Sequence, residues 1–288
     1  MESPLTPLVH RVAAGEIELS VREWPGEGRE FLLVHGLASN ACTWERVGRT
    51  LSARGHRAVA VDQRGHGRSD KPESGYGFDE VTSDLRAAID SLGMQRPVIA
   101  GQSWGGNVVL EFAARYPEAT SGVILVDGGF IDLSSRPGAT WESISQQLRP
   151  PNLIGTPRPE MKQRFHAFRP DWDDEQIEMQ MGNYETLADG TIRPWLTLEH
   201  HMQILQALWE QKPSQLCEKV TAPVLIATAE PQDEERRKRR DEELARAAAK
   251  LRQAEVRHFE GAHHDVHVDQ PDELSQWILD ALERGFFD

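Results

Sequence analysis

The chain has little cysteine, no long apolar run and no surplus of positive charge. Two cysteines occur in 288 residues, Cys42 and Cys217. They lie far apart without metal-ligand spacing, so neither a disulfide framework nor a zinc site is expected, and a reduced, cytoplasmic setting is. No stretch approaches the roughly 20 apolar residues of a membrane-spanning helix. Met1 to Val12 carries no apolar signal core. Lysine and arginine number 32 against 46 aspartates and glutamates, a net charge of −14. That balance disfavours nucleic-acid and anionic-membrane partners. Internal repeats are missing. So are a dinucleotide fingerprint, a Walker loop and a pyridoxal lysine context, and no cofactor is expected. A small-molecule partner is what remains, with oligomeric state left open.

What is present is organised around residues 97–116. A short apolar run, Pro97 to Ala100, leads into Gly101-Gln102-Ser103-Trp104-Gly105-Gly106. Val108, Val109, Phe112 and Ala113 then recur at helical spacing. Strand, glycine turn and helix together are the context of a Gly-x-Ser-x-Gly nucleophile elbow. A serine hydroxyl is a weak nucleophile and has to be presented. A strained turn at a strand end pushes it outward. The glycines let strand and helix pass closely, and the Trp104 N–H at the helix start can face a developing oxyanion.

Around this centre, apolar strands alternate with helical stretches. Strands are expected at 8–13, 16–22, 31–34, 57–61, 122–126, 223–228 and 255–259, and helices at 43–53, 78–92, 233–251 and 272–284. The rhythm predicts an α/β fold, a largely parallel sheet with helices on both faces. Ligand sites in such sheets lie beyond the carboxyl ends of the strands. Leu37, Arg64, Ser103 and Asp127 all fall there. From Phe130 to about Pro213 the rhythm breaks, prolines crowd, and helical pieces are expected at 141–148, 160–168, 173–188 and 197–211. This divides the chain into core 1–129, an inserted helical cap 130–214 and core 215–288. The aromatics of the cap mostly hold it to the body; Trp141, Trp172 and Trp195 are the candidates for lining an apolar pocket. The basic run Arg236 to Arg240 is flanked by acids at i,i+4 spacing and reads as a solvated helix face.

The motifs His35-Gly36-Leu37, Asp62-Gln63-Arg64-Gly65-His66-Gly67-Arg68-Ser69, the elbow, and Gly261-Ala262-His263-His264 span nearly the whole chain. In that order they resemble the α/β-hydrolase fold superfamily, in its capped, cofactor-independent branch. The resemblance implies an eight-stranded, mostly parallel sheet, Ser103 as nucleophile and His264 as base. It implies an oxyanion hole made by the N–H groups of Leu37 and Trp104. The acid is left open: Asp127, directly after a strand, is favoured, with Glu230 and Asp233 as alternatives, because Ala229-Glu230-Pro231-Gln232-Asp233 departs from the family's commonest Gly-x-x-Asp pattern. His263 and His267 read as loop or packing residues rather than metal ligands. Arg64, His66 and Asp70 read as a hydrogen-bonded loop, with Asp62 capping it.

A serine rather than a carboxylate at the elbow points to acyl transfer. Hydrolysis of an apolar ester or lactone is the leading expectation. A proline-iminopeptidase-like amidase, with Glu175, Glu178, Glu185 or Glu199 holding an ammonium, is an alternative. A carbon–carbon bond hydrolase and a hydrolase-fold receptor or signalling protein are two more.

Overall fold

The structure, a computed structural model, describes residues 6–230 and 233–288. Strands β1 (Leu8–Ala14) and β2 (Ile17–Trp24) form a hairpin. Then come β3 (Glu30–Val34), α1 (Glu45–Ala53), β4 (Arg57–Val61), α2 (Phe78–Ser91), β5 (Val98–Gln102), α3 (Trp104–Arg115) and β6 (Gly122–Val126). The insertion follows, with α4 (Trp141–Gln147), β7 (Thr156–Pro157), α5 (Arg158–Phe168), α6 (Asp174–Met181), β8 (Tyr184–Thr186), β9 (Thr191–Pro194), α7 (Leu198–Glu210) and α8 (Pro213–Leu216). The chain returns as β10 (Val224–Thr228), α9 (Glu234–Ala248), β11 (Ala254–His258), α10 (Val266–Asp269) and α11 (Pro271–Glu283). Eight strands make one sheet in the order β1-β2-β4-β3-β5-β6-β10-β11, parallel from β4 onward.

The central strands are buried on both faces, which is why they read as continuous apolar runs rather than alternating ones. Their side chains nevertheless divide by parity. Leu32, Val34, Ile99, Val123 and Leu125 pack with α2 and α3 on one face. Phe31, Leu33, Val98, Ala100, Ile124 and Val126 pack with α1 and α11 on the other. A one-residue slip would exchange the two sets. Register then fixes the site. Gly101 lies opposite Val34, and Gln102 opposite Val126. Ser103 and Asp127, one step beyond Gln102 and Val126, therefore lie side by side, and His35, one step beyond Val34, stands level with Gln102.

The insertion is helical in the main, and it also carries a three-stranded antiparallel sheet, β7-β9-β8. The expected helix over 173–188 stops at Met181. Beyond it β8 and β9 form a hairpin across Asp189-Gly190. Gly190 has φ +82°, and Asp189 Oδ1 accepts from the N–H and hydroxyl of Thr191 at 2.9 and 2.7 Å. The Asp-Gly turn signal overrides the helical spacing before it. Helix α7 belongs to the main core: Ile204, Leu205 and Leu208 pack in the same cluster as α3. Among the described residues no helix is long and apolar enough to cross a membrane. Residues 1–5, part of the N-terminal reading, lie outside the described residues, as do Pro231 and Gln232 in the alternative acid loop.

Candidate active site

Ser103 sits at the turn between β5 and α3 with φ +53° and ψ −121°. A non-glycine residue there is strained, and strain of this kind persists only where the surroundings enforce it. They do so by contact. A Cβ on Gly101 would come within 2.1 Å of the Gly105 carbonyl oxygen, and one on Gly105 within 2.4 Å of the His35 carbonyl. A Cβ on Gly128 would lie 2.1 Å from the Ser103 carbonyl oxygen. The elbow is thus pressed between the loop after β3 and the loop after β6.

The loop after β3 is held by two buried histidines. His35 Nδ1 donates to the Gly36 carbonyl at 2.7 Å, and its Nε2 accepts from the Gln63 N–H at 3.1 Å. His66 Nδ1 donates to the Arg64 carbonyl at 2.9 Å, and its Nε2 accepts from the Ala38 N–H at 3.2 Å. Both rings are neutral in this arrangement. Burial pushes His35 down to about 4, and burial plus the neighbouring His35 holds His66 well below its ordinary value. His66 also stacks on Trp104, 5.6 Å between ring centres. Ala38 N–H is used by His66, and Ser39 N–H by the Gly36 carbonyl at 3.3 Å. Among the described residues the Leu37 and Trp104 N–H groups donate to no partner. The Asp62 carboxylate accepts from Ala41 and Arg68 N–H at 2.8 and 3.1 Å, and Arg64 pairs with Asp84 at 2.5 and 2.7 Å. This motif loop is a scaffold.

His264 follows β11, and its Nδ1 lies 2.6 Å from Asp127 Oδ2. Asp127 Oδ1 accepts from the Ala229 N–H at 3.1 Å, which fixes the carboxylate from the β10 side. Asp127 itself has φ +44°, a second strained residue beside the elbow. The His264 side chain opens 54 % of its surface to a cleft. Protein encloses the ring at longer range and disfavours its charge. The hydrogen bond and charge of Asp127, helped by Asp265 and Asp269, outweigh that and raise His264 to about 9. The Gln102 amide donates to the His264 carbonyl at 3.2 Å, tying the histidine turn to the residue before Ser103.

Glu230 and Asp233 are placed elsewhere. Glu230 Oε2 accepts from the Gly261 N–H at 2.8 Å, and Glu230 N–H donates to the Ala262 carbonyl at 2.9 Å. Glu230 therefore clips the turn that carries the histidine. Asp233 is exposed at the start of α9. The three clustered histidines diverge. His263 turns toward Asp269 at 3.6 Å, His264 faces Asp127, and His267 packs inward on Trp44 at 4.4 Å. Both thiols are pushed up to about 11, chiefly by burial, and remain protonated.

Of the aromatic candidates, Trp195 lines two cavities. Trp141 instead packs against Trp209, 6.4 Å between ring centres. Trp172 is buried in the insertion's own cluster. Its Nε1 donates to Asp269 Oδ1 at 2.7 Å, and the Arg169 guanidinium covers its ring at 4.3 Å. It fastens the insertion to α10.

Two clefts are lined by residues of the loops around the elbow. One, of about 330 Å³, is lined by Asp127 and His264. The other, of about 950 Å³, runs from Ala38, Ser39 and His66 out under the insertion. Its walls are largely apolar, from Leu153, Met161, Trp195 and Leu196 among others, and Arg149, Arg164 and Arg193 also line it. Those arginines come from the loop after α4, from α5 and from β9, and no local pattern in the sequence marks them.

A strained serine at a strand–helix turn, free N–H groups beside it and a histidine–carboxylate pair define the hydrolase class of this fold. A profile of the alpha/beta hydrolase family matches residues 31–277, and the chain belongs to that family. It is similar to 2-(acetamidomethylene)succinate hydrolase of Mesorhizobium japonicum, with 39 % identity over 117 residues, 41 % of each chain. The match thus spans about two-fifths of that relative's length. A crystal structure of E-2-(acetamidomethylene)succinate hydrolase superposes with a TM-score of 0.77 and 25 % identity, covering 96 % of this chain and 99 % of that one. Epoxide hydrolase 1 of Caenorhabditis elegans is 25 % identical over 281 residues, 88 % of this chain and 65 % of the relative.

Proposed function

We propose that this chain is a serine hydrolase that cleaves a carboxylic ester or lactone through an acyl-enzyme. The observation that carries the reading is the 2.6 Å contact between His264 and Asp127 beside a serine held at φ +53°. In this mechanism Asp127 keeps the Nδ1 proton in place and leaves Nε2 to take the Ser103 proton. Ser103 Oγ attacks the acyl carbon. The Leu37 and Trp104 N–H groups receive the oxyanion. His264 then protonates the leaving group, and water, activated by the same ring, releases the acid. Residues 130–214 act as the cap over this site.

A hydroxyl at the elbow favours acyl transfer over epoxide opening. The iminopeptidase alternative keeps Glu199 alone of its four acids without an ion pair among the described residues, because Glu175 is engaged by Arg46 and Arg49 at 2.8 and 2.5 Å, and Glu178 by Lys162 at 2.8 Å. Glu185 is paired with Arg193. Cleavage of an N-acyl amide is the second reading. It rests on the full-length likeness to a hydrolase whose named substrate carries an acetamido group.

Turnover of p-nitrophenyl acetate and butyrate tests the proposal. Wild type is expected to turn over, and Ser103→Ala to lose at least about 1,000-fold in kcat. An unimpaired Ser103→Ala would sink the acyl-enzyme reading. Wild type inert on esters and lactones but active on N-acyl amides would move the assignment to the second reading.

A further inference from the structure

Charge is unevenly shared among the cavities of this acidic protein. The cleft beside His264 holds Arg136, Arg239 and Arg240, offset by Asp127, Glu230 and Glu243. A third cleft, under β8, holds Arg22, Arg68 and Lys71 with Asp62 and Glu185. The large cavity that Ala38, Ser39 and His66 help to line is different. Arg149, Arg164 and Arg193 line it, and no aspartate or glutamate does. In a chain of net charge −14 that is a local reversal of sign. A cleft lined by one sign of charge with low-dielectric walls concentrates the opposite charge.

The arginines also have donors to spare. Arg149 is exposed and has no ion-pair partner among the described residues. Arg164 holds Glu160, one turn away on α5, at 2.7 Å, and Arg193 holds Glu185 on the neighbouring strand. A guanidinium carries five N–H donors, so either can keep its partner and still meet a second carboxylate. Ala38, Ser39 and His66 also line the cavity; Ala38 directly follows Leu37, and His66 stacks on Trp104, the two residues whose N–H groups would receive the oxyanion. Leu153, Ile154, Met161, Trp195 and Leu196 are among the apolar side chains that line the rest of it.

We propose that the substrate of this hydrolase is an acyl compound with a second, distal carboxylate, whose scissile carbonyl sits at Leu37 and Trp104 and whose carboxylate is read by Arg149, Arg164 and Arg193. The inference rests on the acyl-transfer reading for where the carbonyl sits. It departs from the neutral substrate that the aromatic content of the insertion suggests.

The test uses 4-nitrophenyl hemi-esters of glutaric, adipic and suberic acids. Each is compared with the neutral straight-chain ester in which a methyl replaces the carboxylate. For at least one chain length wild type is expected to favour the anionic ester at least tenfold in kcat/KM, with the ratio shrinking as salt rises. Arg149→Gln combined with Arg193→Gln is expected to cut that ratio at least tenfold, while Arg252→Gln, remote from the cavity, leaves it unchanged. A ratio near one at every length overturns the inference even if both esters turn over. Calorimetry on Ser103→Ala with the same ester pairs separates this from the catalytic reading. If wild type proves inert, tighter binding of the anionic ester still supports the arginine rim, and equal binding overturns it.

Discussion

His264 Nδ1 lies 2.6 Å from Asp127 Oδ2, across 137 residues of sequence. Two loops at the carboxyl edge of the sheet meet there. The carboxylate needs no long reach, because β5 and β6 are in register and Asp127 stands level with Ser103.

That contact sets a pH dependence. The base must be neutral to act, so kcat/KM for ester hydrolysis should rise as His264 loses its proton. Asp127 displaces this limb upward from the ordinary 6.5 toward about 9. Asp127→Asn should move the limb down and lower kcat by about 1,000-fold or more, whereas Asp233→Asn should change kcat less than about twofold. The stability linkage has the matching sign. The folded value is raised, so the contribution is full below 6.5 and is lost as pH rises through about 9. A pH–rate profile of both variants checks this, and an unharmed Asp127→Asn would overturn the acid assignment.

The oxyanion loop depends on His66, which takes the Ala38 N–H at 3.2 Å and stacks on Trp104. His66→Ala should loosen both proposed N–H donors at once. We expect kcat to fall about 10- to 100-fold with KM little changed, less than the loss of a whole donor. A fall confined to KM would show that His66 acts on substrate binding instead.

Asp269 joins the insertion to the histidine turn. Its side chain, 5 % exposed, accepts from Arg169, Trp172 and the His263 N–H at 2.6, 2.7 and 2.7 Å. Asp269→Ala leaves the buried Trp172 N–H unpaired and Arg169 with Asp171 as its one carboxylate, and should destabilise the fold by about 2–4 kcal/mol. Urea unfolding measures this. Trp172→Phe, which keeps the ring and removes the N–H, should cost about 1 kcal/mol. Equal costs for the two variants would mean that packing, not the hydrogen bonds, fastens the insertion.

His267 is buried on Trp44 with both ring nitrogens unpartnered among the described residues. Burial, with the neighbouring His264 and His35, pushes it down to about 3. Its folded value is lowered, so the unfolded chain binds the extra proton, and stability falls as pH drops from 6.5 toward 3. His267→Phe removes that liability and gives up no hydrogen bond. The variant should be more stable than wild type at pH 5, with a smaller difference at pH 8. Thermal melts at the two values decide it; a variant less stable at pH 5 would indicate that the ring has a partner in solution.

Much of the site was legible because its parts are local. An elbow is a stretch of six residues whose glycines answer to one crossing of strand and helix. The insertion was less legible. Helical spacing over 173–188 concealed a hairpin whose only mark was Asp189-Gly190. Trp172 was indistinguishable by type from a pocket residue, and its place against Asp269 depends on a contact 97 residues away in the chain.

The sequence by itself determined the sheet and the family, and it marks Ser103 and His264, the proposed nucleophile and base, with motifs of their own, because strand periodicity and turn chemistry are written over a few neighbouring residues. Tertiary structure alone decided which carboxylate faces His264, because Asp127, Glu230 and Asp233 are equally ordinary loop acids until strand register places one of them. It also decided that Arg149, Arg164 and Arg193 share one cavity without an acid, since a charge pattern in space leaves no period along the chain.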